Sequence, residues 1–161
     1  MLPYGVSYFC DDIRFEQQNK FSLIGCYGPE LILFQKPPVV LPKLCILVQI
    51  RTAPERYPAI KIIVYPPGRE EPLFLHEQEE EKQDFQISKE IQDTKEEIQP
   101  QRAILVPLMF APFIIENSGF IRVRLHYGPE IIRIGALQIK YQEQPVIGSP
   151  TLLTGGLVPQ G

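Results

Sequence analysis

The apolar residues of this chain come in short runs rich in Ile, Val, Leu, Tyr and Phe, and nearly every run is closed by proline or glycine. There are 17 prolines in 161 residues, about twice the usual ~5%. A long helix does not tolerate proline in its interior, whereas strand ends, sheet edges, turns and tails do. The pattern therefore predicts an all-β fold, a two-sheet antiparallel β-sandwich (Ig-like or similar) of roughly seven to nine strands. The length suits one domain of roughly 100–150 residues with trimmings. Such a chain can bury a core without a disulfide or metal staple.

Strands are expected at 6–10, 20–27, 31–35, 44–52, 59–65, 72–76, 102–110, 119–127 and 131–141. The run LCILVQIRT at 44–52 begins as unbroken apolar sequence, which predicts a central strand covered on both faces. The run GFIRVRLHY at 119–127 alternates. Phe120, Arg122, Arg124 and His126 fall on one side, and Ile121, Val123, Leu125 and Tyr127 on the other. Gly128-Pro129 then turns the chain into 131–141, giving a hairpin with one charged and one apolar face. Gly135 inside the return strand predicts a bulge or a close backbone approach, and Pro107 interrupts the strand at 102–110. Packing is expected to centre on Leu44, Ile46, Val48, Ile62, Val64, Ile121, Val123 and Leu125. The sequence Tyr-Gly-Pro-Glu occurs at 27–30 and again at 127–130, and both copies read as hairpin turns, for which turn chemistry alone selects Gly and Pro.

The domain is expected to span 1–141, with an insertion at 76–100 and a Pro/Gly-rich tail at 142–161. The insertion holds nine acidic residues against three lysines, a net −6 that leaves the rest of the chain at +3. It reads either as a long solvated acidic loop or as a short helix over 88–98, with Ser88 as N-cap and Ile87, Ile91 and Ile98 along one face.

Composition and termini narrow the function classes. The net charge of −3 offers no general attraction to nucleic acid or to an anionic membrane. No uncharged apolar run reaches the 18 or more residues of a membrane span, and the N-terminal sequence has no signal-peptide pattern. The three cysteines, Cys10, Cys26 and Cys45, are odd in number and widely spaced. They read as small buried hydrophobes in a reducing compartment, not as a disulfide framework. With only His76 and His126 besides, a closed zinc site is not expected, and neither is a cofactor. A cytoplasmic location follows as an expectation.

Two groups of residues are candidates for a site. Asp11, Asp12, Arg14 and Glu16 crowd together with Lys20 next to an apolar strand. The three carboxylates could bind a hard cation or do acid/base work. The alternative is that Arg14 and Lys20 pair with them while Asn19 makes a turn. Arg122 and Arg124, with Arg133 and Lys140, could form a basic stripe across the last hairpin, suited to phosphate or to an acidic protein. The acidic insertion could fold over that stripe. No nucleophile elbow, zinc-protease, Walker or dinucleotide motif is present.

The segment Asp11-Asp12-Ile13-Arg14-x-Glu16, followed by Lys20-x-Ser22-Leu23-Ile24-Gly25-x-Tyr27, resembles a family of short uncharacterised bacterial and phage proteins. In that family a glycine commonly precedes the lysine, where this chain has Asn19. The resemblance covers 10–27 closely and implies a small bacterial or phage protein, with no activity to carry over. The leading expectation is a non-catalytic module that binds a protein partner or associates with itself. A small-ligand or nucleotide-binding protein is second, and an enzyme using Asp11, Asp12 and Glu16 is third.

Overall fold

The computed structural model describes residues 4–18, 20–53, 59–78 and 102–143. Among these there are twelve strands and no helix: β1 (Tyr4–Cys10), β2 (Asp12–Phe15), β3 (Phe21–Ile24), β4 (Glu30–Leu33), β5 (Val39–Leu41), β6 (Leu44–Thr52), β7 (Ile60–Tyr65), β8 (Phe74–Gln78), β9 (Arg102–Phe110), β10 (Phe113–Ile115), β11 (Gly119–Tyr127) and β12 (Glu130–Tyr141). Most of the expected insertion at 76–100, whether long acidic loop or short helix over 88–98, and nearly all of the expected tail lie outside the described residues.

One sheet has the order β1-β6-β9 and is antiparallel throughout. The other has the order β4-β12-β11-β7-β8. Its pairs are antiparallel except β4 with β12, which run parallel. Two short antiparallel pairs, β2–β3 and β5–β10, complete the strands. The parallel pair departs from the antiparallel expectation, and the cause is local. The Tyr-Gly-Pro-Glu at 27–30 makes no hairpin but a crossing from β3 to β4 in a different sheet. Its copy at 127–130 is a true hairpin turn. There Gly128 supplies the positive φ of 57° that a two-residue loop requires at its first position.

The inward side chains of both sheets meet in one core. Leu44, Ile46, Val48 and Ile50 of β6 pack with Ile60, Ile62 and Val64 of β7 and with Ile121, Val123 and Leu125 of β11. All eight residues expected at the centre are fully buried. At roughly 1.5–3 kcal/mol for each buried Leu, Ile or Val, this layer is the principal source of folding energy. Thr52 and Tyr127 put the buried polar pair of this core into a shared hydrogen bond between β6 and β11.

β6 is covered on its second face as well. Cys45 and Leu47 pack with Cys10 of β1 and Ile13 of β2, with Leu23 of β3 against them. The unbroken apolar start of β6 thus serves two layers: the main core below and the β2–β3 hairpin above. On β12 the register slips between Val123 and Arg124 of its partner, so Ile134 and Gly135 form a bulge. Gly135 is also a close approach, since a Cβ there would stand 2.6 Å from the Ser7 Cβ of β1. Both properties expected of this glycine hold together. Pro107 does not break β9, because β9 lies at the edge of its sheet, where a missing N–H costs least.

Candidate functional site

The N-terminal motif folds into the β2–β3 hairpin, and each of its three carboxylates has its own partner. Asp11 accepts a hydrogen bond from the Tyr27 hydroxyl. Asp12 accepts from Lys43 at 2.8 Å and lies 3.5 Å from Arg14. Glu16 accepts from the Ser22 hydroxyl at 3.0 Å. Ile13 and Leu23 point into the small core above β6. Gly25 takes a φ of +64°, and a Cβ there would fall 2.1 Å from an Asp11 carboxylate oxygen. Glycine is thus required twice over, for backbone conformation and for space.

This arrangement separates the carboxylates that the sequence placed side by side. Asp11, at the bend just before β2, turns to Tyr27, while Asp12, the first residue of β2, reaches Lys43. No group of three His, Cys, Asp or Glu side chains among the described residues could hold a metal ion. Lys20 enters through its backbone, its carbonyl accepting from the Glu16 N–H at 2.8 Å, and Lys43 takes the pairing role expected of it. The left-handed turn residue is Gln18, with a φ of 60°; Asn19 lies outside the described residues. The hydrogen bond from Lys43 holds the Asp12 carboxyl below its ordinary range and raises the lysine in turn. Burial first, then the bond to Asp11, raises the Tyr27 hydroxyl well above its usual value.

The second group of residues is gathered, not dispersed. Arg122 and Arg124 lie on the outer face of the five-stranded sheet, opposite the buried row of Ile121, Val123 and Leu125. In the β11–β12 register Arg124 stands directly across from Arg133, and in the β11–β7 register His126 stands across from Lys61. Arg122 is held in place: its guanidinium lies 5.3 Å from the centre of the Tyr65 ring and donates to the Arg69 carbonyl at 2.7 Å. Tyr65, Glu70, Arg122, Arg124, His126 and Ile131 line a depression of about 340 Å³. Lys140, also on this face, is paired with Glu30 and adds little to it. The sequence indicated the stripe through Arg122 and Arg124. The contributions of Lys61 and Tyr65 arise only from the pairing of β7 with β11.

The cysteines differ from the expectation of three buried hydrophobes. Cys10 and Cys45 are buried, but Cys26 is exposed. Gly25, with its positive φ, ends β3 before Cys26 is reached, so the strand expected through 27 stops short. Elsewhere the surface carries an apolar cleft of about 260 Å³ near Phe110, Phe113 and Leu73. Exposed Tyr4, Tyr8, Leu105 and Met109 lie on the three-stranded sheet. No helix among the described residues is long and apolar enough to cross a membrane. No protein-family model, curated protein or solved structure matches the chain.

Proposed function

We propose that this chain is a non-catalytic binding module, built as a two-sheet antiparallel sandwich with one parallel pairing. Its binding surface is the outer face of the five-stranded sheet, and its partner is a protein that presents acidic side chains. The sandwich reading is supported by the single core that the inward side chains of both sheets share.

The observation that carries the functional reading is Arg124 directly opposite Arg133. Like charges facing one another across a strand pair destabilise a sheet. Here Arg122 and His126 flank Arg124 along β11, and Lys61 lies across from His126. A bound carboxylate would turn this repulsion into paired, charge-assisted hydrogen bonds, for which the guanidinium fork is well shaped. Arg122, already fixed by Tyr65 and the Arg69 carbonyl, would lose little further freedom on binding. The Asp11, Asp12 and Glu16 carboxylates, each occupied by a separate partner, support a structural role for the N-terminal motif in place of an acid/base one.

The test is a double substitution, Arg124→Gln with Arg133→Gln, in the full chain. A fluorescent hexaglutamate peptide would be titrated at low salt and at about 0.15 M salt, where the Debye length is about 8 Å. The expected result is an affinity loss of about tenfold or more, with wild-type binding itself weakened by salt. Folding stability should stay level or rise, because a repulsive pair has gone. Equal affinity of variant and wild type would sink the proposal. Inorganic phosphate competing better than the peptide would overturn it in favour of a small anionic ligand.

A further inference from the structure

Three cysteines that are far apart in sequence stand in one row in the fold. Cys10 on β1 lies directly across from Cys45 on β6. On its other side runs the segment after β3. There the Tyr27 N–H donates to the Phe9 carbonyl at 2.8 Å, and the Asp11 N–H is shared between the Ile24 carbonyl at 3.0 Å and the Gly25 carbonyl at 3.3 Å. These bonds bracket Cys10 and Cys26. Cys26 lies just past the end of β3 and in no strand, but backbones tied together on both sides of a residue pair run side by side, with Cα atoms roughly 4.5–5.5 Å apart. That spacing falls inside the range of roughly 4.4–6.8 Å that a disulfide spans.

We infer that Cys10 and Cys26 form a reversible disulfide, a modification site that closes the N-terminal hairpin onto β1. Access decides which thiol reacts first: Cys26 is exposed, whereas Cys10 and Cys45 are buried beneath Ile13 and Leu23. The oxidant is a small-molecule disulfide, represented by oxidised glutathione. The Cys26 thiolate attacks one of its sulfurs, forming a mixed disulfide and expelling one glutathione thiolate. Cys10 then gives up its proton and attacks the Cys26 sulfur, expelling the second glutathione thiolate. The two protein thiols are oxidised by two electrons, the glutathione disulfide is reduced to two thiols, and the two protons leave with them.

Cys10 takes the second step by its position beside Cys26. Burial, and after it the neighbouring sulfurs of Cys45 and Cys26, pushes its thiol up to about 11, which keeps it from reacting first and makes its attack on the mixed disulfide the slow step. Cys45 is not the partner, because no oxidant reaches a pair in which both members are buried. The closed ring would run from 10 to 26 and enclose β2 and β3, and with them the DDIRxE…KxSLIG part of the motif.

The experiment uses the full, reduced chain incubated with oxidised glutathione, alkylated, and mapped by proteolysis and mass spectrometry without reduction. The expected product is a peptide pair linked through Cys10 and Cys26. The melting temperature should rise by about 5 °C or more, as a ring of this size restricts the unfolded chain, and dithiothreitol should reverse the rise. Cys26→Ser should lose both effects, and Cys45→Ala should keep both. A stable glutathione adduct on Cys26 with Cys10 still open to alkylation would overturn the inference. So would a link between Cys10 and Cys45. The wild-type map alone decides, whatever the variants do to folding.

Discussion

Asp12 shows how one side chain in the N-terminal motif contributes to the fold. Its carboxylate accepts from Lys43 on the approach to β6 and lies near Arg14 on its own strand, so it ties the β2–β3 hairpin to the sheet beneath. The Lys43 bond holds its folded pKa below the ordinary value. The unfolded carboxyl titrates near 3.9. A carboxyl lowered on folding stabilises the protein fully above its unfolded pKa, and that contribution is lost as pH falls through the folded pKa. Urea midpoints of wild type and Asp12→Asn should therefore differ above about pH 4 and converge as the solution becomes more acid. The difference should be small, as for exposed ion pairs generally. Curves that stay superimposed from pH 2 to 7 would show that the Lys43 contact contributes nothing.

Among the elements, β11 carries most of the architecture. It pairs with β12 on one side and β7 on the other, buries Ile121, Val123 and Leu125 completely, and turns Arg122 and Arg124 outward. Both faces depend on one period-two alternation, so a slip of one residue would exchange core and surface. The bulge at Ile134–Gly135 lies opposite Val123 and Arg124. It turns Ile134 into the core while leaving Arg133 across from Arg124. Val123→Ala should cost on the order of 1–3 kcal/mol by the usual large-to-small penalty, measured by chemical denaturation. A loss below a few tenths of a kcal/mol would mean that this face is not packed as described.

At the scale of the molecule, the two main sheets are joined through side chains. Apart from the Thr52–Tyr127 bond, the core between β6 on one sheet and β7 and β11 on the other is apolar. A shared core should melt as one unit. The chain has seven tyrosines and no tryptophan, and Tyr8 and Tyr65 report on opposite sheets. Thermal unfolding followed by far-UV circular dichroism and by tyrosine fluorescence should give coincident midpoints. Val48→Ala in β6 and Val64→Ala in β7 should each lower both probes together. Separated midpoints, or a variant that shifts only one probe, would mean that the sheets are independent units.

Much of this was legible in the sequence because it follows from local rules. Proline density and short β-branched runs gave an all-strand chain, and period-two alternation assigned both faces of β11. The unbroken start of β6 marked a strand with two covered faces, and Gly135 announced its bulge. What the local rules could not supply was the pairing of segments distant along the chain. The strand β2 went unread because DIRF carries two charges, and its burial comes from β6, about thirty residues away. The strands β5 and β10, three residues each and flanked by prolines, exist only because they pair with each other. Two identical Tyr-Gly-Pro-Glu segments became a hairpin in one place and a crossing in the other, since the turn residues do not specify which strand follows as neighbour. The same limit governs the sites. Asp11, Asp12 and Glu16 are close in sequence, yet each turns to a different partner. Arg124 and Arg133, and likewise Cys10 and Cys45, are separated in sequence, and cross-strand register brings them together. Composition and periodicity determine what each segment can become. Only the tertiary fold, through burial and register between remote segments, decides which side chains share a surface.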